Sequence, residues 1–135
     1  MPTVRLHAFK QTDKKLRWDA IVGDERFEFY IPKWRVPQPW PTVIVVHIDA
    51  APPDTDDRVP QKPTDTTESI EVVVGRPVKH TETAQYKPLR GQQVDWHIGE
   101  PYIPCALLPD PLPERLLIRI EWDFSSEPWP DDHAK

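Results

Sequence analysis

A chain of 135 residues is one domain's worth of sequence, and with 18 prolines, 4 glycines and 3 serines it holds no GxGxxG, GxxxxGK[ST] or GxSxG pattern, which excludes the common phosphate-cradling and serine-nucleophile loops. Seventeen Lys+Arg against 22 Asp+Glu leave a net charge of −5, which argues against a general polyanion binder, because affinity for nucleic acid accumulates with positive charge. One cysteine, Cys105, makes an internal disulfide impossible, and the lack of any signal-peptide or membrane-span run of apolar residues completes the expectation of a cytoplasmic protein.

Hydrophobicity alternates with a period of two along most of the chain, the pattern of strands with one face on a core. Strands are predicted near residues 3–10, 15–23, 26–32, 42–49, 69–79, 83–88, 93–98 and 115–124. Gln11 to Lys14 form a hairpin loop after the first. In the second, Leu16, Trp18, Ala20 and Val22 alternate with Arg17 and Asp19, so Trp18 belongs to the core. Gly23-Asp24-Glu25 turns tightly into the third, where Phe27, Phe29 and Ile31 share a face. Such short links predict antiparallel neighbours.

The connection that follows carries the candidate binding site. Lys33, Trp34, Arg35 and Trp40 lie in KWRVPQPWP, a segment expected to run in a polyproline-like conformation that leaves the rings and cations in solvent. Aromatic anchors and Arg suit a protein partner, and the same mixture suits single-stranded nucleic acid. The structural alternative is that both indoles cap the core while the cations cover it with their stems.

Val43 to Ile48 is apolar at nearly every position and is expected to be covered on both faces. His47 and Asp49 lie two apart on one strand face, as do Asp95 and His97. These are weak metal-ligand candidates, and a charge ladder between strands accounts for them better. No cofactor is indicated. Residues 51–69 are too polar to bury and read as a connector. Lys79, His80, Lys87 and Arg90 make a loosely basic region beyond it, a single helical turn is expected near Pro104 to Leu108, and Trp122 continues the alternation of the last strand on the core side. The tail 125–135, rich in acidic residues and proline, is expected to be flexible, as is Asp54 to Thr67.

Sliding the chain by 72 residues lays Tyr30–Asp49 over Tyr102–Glu121 with seven of twenty positions identical, among them Tyr-Ile-Pro and a PxPxP register. The fold class that follows is all-β: a mainly antiparallel eight-stranded sandwich or barrel, built by internal duplication of two four-stranded halves, about 1–50 and 70–124, within one domain spanning 1–124. The two copies differ most at the candidate loop, where Ala106, Leu107 and Leu112 stand for Trp34, Arg35 and Trp40. The expected function is a non-enzymatic binding or assembly module that recognises a protein partner through that loop. The alternatives are a ligand-binding or enzymatic barrel with a cavity lined by tryptophan and histidine, and single-stranded nucleic-acid binding.

Overall fold

A computed structural model describes residues 2–52, 65–88, 98–99, 101–124 and 129. Among them are eight strands: β1 (Thr3–Gln11), β2 (Lys15–Val22), β3 (Glu25–Pro32), β4 (Val43–Ala50), β5 (Ile70–Lys79), β6 (Thr83–Pro88), β7 (Tyr102–Pro104) and β8 (Arg115–Asp123). All pair antiparallel in one sheet of order β3-β2-β1-β4-β8-β5-β6-β7. The two ends of this order meet where the Gly99 N–H donates to the Tyr30 carbonyl at 2.9 Å, so the sheet nearly closes into a barrel. No α-helix occurs among the described residues, and no helix is long and apolar enough to cross a membrane.

Alternation places the core as expected. Leu16 and Trp18 of β2, Phe27, Phe29 and Ile31 of β3, Ile44, Val46 and Ile48 of β4, and Leu116, Ile118 and Ile120 of β8 are buried on the inner face. Trp122 is half-buried against that core. Complete coverage of β4 is not found: Val45 and His47 stand half-buried on the outer face, flanked by the side chains of adjacent strands. Strand β7, Tyr102–Pro104, is one the sequence did not suggest, and of the predicted strand at 93–98 residues 93–97 lie outside the described residues.

The strand order reads alike from either edge, β3-β2-β1-β4 against β7-β6-β5-β8. At the middle, His47 faces Arg119, with Val46 opposite Ile120 and Ile48 opposite Ile118. His47 and Arg119 are themselves 72 apart, and the flanking pairs exchange roles about them. The β1–β2 and β5–β6 hairpins match at a spacing of 68. Each slips by one residue in its register, between Ala8 and Lys10 in one and between Gly75 and Val78 in the other. The change of spacing from 68 to 72 falls in the connection between β6 and β7, so the ungapped alignment holds only from Tyr30 onward.

Candidate functional site

The loop after β3 opens with a 3₁₀ turn, Lys33–Arg35, closed by Val36 N–H donating to the Lys33 carbonyl at 3.2 Å. Three residues free of proline allow this turn where an extended run was expected. The turn directs Arg35 inward, and it is only 2 % exposed. Its guanidinium donates to the carbonyls of Thr66 at 2.9 Å, Glu68 at 2.8 Å and Ser69 at 3.1 Å, and lies 5.9 Å from the Trp122 ring centroid. Trp122 Nε1–H donates to the same Glu68 carbonyl at 3.1 Å. Burial lowers the Arg35 guanidinium from its ordinary value, partly offset by the Glu68 carboxylate.

Arg35 is therefore not part of an exposed contact surface, as the sequence suggested. A signal existed: its counterpart in the second half is Leu107, an apolar residue at the same point of an equivalent turn. Lys33 and Trp34 are half-buried. Lys33 Nζ donates to Gln11 Oε1 at 2.9 Å and stands 5.5 Å from the Trp40 ring centroid. Trp40, also half-buried, meets Trp129 edge-on at 5.5 Å, and Trp129 meets Trp18 at 5.4 Å. One residue of the tail thus packs on the barrel, while the remainder of 125–135 lies outside the described residues. The indole Nε1 atoms of Trp40 and Trp129 are buried with no acceptor among the described residues.

The loop roots are held in the same way in both halves. Trp18 Nε1–H donates to the Pro41 carbonyl at 3.1 Å, and the Tyr86 hydroxyl to the Pro113 carbonyl at 2.8 Å. Burial, with a smaller contribution from Cys105, pushes the Tyr86 hydroxyl up to about 12. Cys105 is half-buried in the second 3₁₀ turn (Cys105–Leu107), and its N–H donates to the Glu82 carbonyl.

On the outer face His47 and Arg119 share one carboxylate: His47 Nε2 lies 2.8 Å from Glu121 Oε1, and Arg119 donates to Glu121 Oε2 at 3.1 Å. The His47 hydrogen bond, then Arg119, holds the Glu121 carboxyl below its usual value. This is a cross-strand ladder. Among the described residues no three His, Cys, Asp or Glu side chains gather to hold a metal. Asp95, His97 and Arg90 lie outside those residues. On the β1–β3 surface Arg17 chelates Asp19 at 2.7 and 2.8 Å, reaches Glu28 at 3.0 Å and covers the Phe9 ring at 4.2 Å. The Asp19 hydrogen bond raises it above its ordinary value against the cost of burial.

Two open cavities are lined by described residues. One, of about 460 Å³, lies at the β1–β2 loop against Lys14, Lys15 and Tyr30. The other, of about 360 Å³, lies beside the second 3₁₀ turn, between Ala106, Leu107 and Leu108 on one side and Pro2, Asp49 and Ala50 on the other. Neither is lined by tryptophan or histidine. No protein-family model matches the chain, no curated protein matches it, and no solved structure matches it.

Proposed function

We propose that the chain is a cytoplasmic, non-enzymatic binding module for a polypeptide partner, built by duplication of a four-stranded unit. One observation carries the binding reading: the loop singled out by its composition helps to hold a stretch of polypeptide backbone, its Arg35 donating three hydrogen bonds and Trp122 of β8 a fourth to carbonyls of Thr66, Glu68 and Ser69. A scaffold that grips its own chain at one such loop is suited to grip another chain elsewhere. The palindromic strand order, the matched register slips and the paired loop anchors support the duplication. Recognition through Lys33, Trp34, Arg35 and Trp40 themselves is the weaker version, since Arg35 is already engaged.

The test is selection from a random library of displayed peptides against the intact chain. Selected peptides, resynthesised, should bind in solution and shift a contiguous set of backbone amide resonances. Failure to recover any peptide that binds in solution would overturn the reading.

Single-stranded nucleic acid is a second reading with its own observation. Tyr102 is 45 % exposed and lies 5.6 Å from the His80 ring, in register with Gln85 and Val78 on the outer face. Oligonucleotide titrations across a salt series separate it, because backbone binding weakens steeply with salt.

A further inference from the structure

We propose that the groove beside the second 3₁₀ turn docks an extended, apolar and basic segment of another polypeptide, seated as Thr66–Ser69 is seated in the first half. The inference rests on the polypeptide-binding reading and names where and what it binds. In the first half, the chain leading into β5 lies along β8: Ile70 pairs with Ile120, and Glu68 ahead of it reaches Trp122. In the second half, Pro2 leads into β1 beside Ile48, whose N–H donates to the Pro2 carbonyl at 3.0 Å. The groove opens at the corresponding place.

What differs is the filling. Arg35 is replaced by Leu107 and Trp122 by Ala50, so an isobutyl and a methyl group stand where a guanidinium and an indole occupy the first half. The result is an open space of about 360 Å³, at the small end of the ~300–1,000 Å³ range of binding pockets. The donors that served backbone carbonyls are gone and apolar walls remain, so the occupant must bring apolar side chains. Asp49 at the rim corresponds to Glu121 and stands opposite Leu117 as Glu121 stands opposite Val45, but whereas Glu121 binds His47 and Arg119, no ion pair joins Asp49 to a cation among the described residues. Its carboxylate and the net charge of −5 favour a cationic partner.

The probe is a capped synthetic peptide alternating lysine and leucine, with a glutamate–leucine peptide as control, titrated into the full chain by fluorescence anisotropy and by amide shift mapping. The lysine peptide should bind, shift the amides of Asp49, Ala50 and Ala106 to Leu108, and lose affinity about ten-fold or more in Leu107→Asp. Asp49→Asn should weaken it and flatten its salt dependence. Because Leu107 is half-buried, Ala106→Trp, at an exposed position, blocks the groove without disturbing the core. Undiminished binding to Ala106→Trp and Asp49→Asn, or shifts confined to another surface, overturns the groove while leaving polypeptide binding intact. If neither this peptide nor any library peptide binds, the polypeptide reading fails and the groove with it.

Discussion

Arg35 is nearly closed off from water, and its guanidinium serves three carbonyls in different directions. A planar fork can do this; the single ammonium of lysine cannot reach all three. Arg35→Lys is expected to destabilise the protein by about 1–3 kcal/mol, the cost of leaving buried acceptors unserved, and Arg35→Met by at least as much. Urea denaturation checks this, and an unchanged midpoint for Arg35→Lys would sink the structural role. Tyr86 gives a pH test. Its folded pKa is raised from 10.0 to about 12, so the fold favours the neutral hydroxyl. The stability it contributes is fully present below 10 and is lost as pH rises toward 12. Tyr86→Phe should lose about 1 kcal/mol at neutral pH with the Pro113 hydrogen bond, and should remove this share of the alkaline sensitivity. Stability measured across alkaline pH for both proteins decides it, with equal slopes counting against the assignment.

Among the elements, the β2–β3 hairpin shows how local chemistry sets a connection. Val22 pairs with Glu25, leaving Gly23 and Asp24 to turn the chain, and Gly23 takes φ +60°. Nothing lies within 4 Å of a Cβ built there, so a side chain would meet only backbone strain. Gly23→Ala should cost roughly 1–2 kcal/mol, and Gly23→Asn less, because Asn tolerates the left-handed region. Thermal unfolding that ranks Asn no better than Ala would show that something other than φ limits the site. The 3₁₀ turns make a second lesson at this scale. Both halves use the same turn after Tyr-Ile-Pro, yet one directs Arg35 onto a segment of its own chain and the other directs Leu107 to the edge of an open groove.

For the whole molecule, near-closure of the barrel depends on a close approach. A Cβ on Gly99 would lie 3.2 Å from the Tyr30 Cβ, beside the hydrogen bond that joins Gly99 to β3. Gly99→Val should therefore push this seam apart and destabilise by about 1–3 kcal/mol, the usual cost of overpacking, with faster amide exchange at Gly99. Exchange unchanged from the parent would show that the approach does not hold the seam. At the centre of the sheet, pairs such as Ile48 opposite Ile118 and Val46 opposite Ile120 join the halves through fully buried side chains, so the two should unfold together in one transition.

Period-two alternation made the strands and the inward placement of Trp18, Phe27, Phe29, Ile118 and Ile120 legible from sequence, because each depends only on residues one or two apart, and the short links between strands made the antiparallel pairing legible. The recurrence of Tyr-Ile-Pro marked the two places where a strand passes into a 3₁₀ turn. Three things were settled only by tertiary contacts, the first of them hinted at by the apolar Leu107 in the corresponding turn. Arg35 turns inward because carbonyls more than 30 residues away need its donors. The two edges of the single sheet meet where Gly99 comes close to Tyr30 of β3. The groove opens where Ala50 and Leu107, residues distant in the chain, meet at its wall without filling it. Each is a meeting of segments remote in sequence, and no local pattern records which distant residue will occupy the other side of a contact.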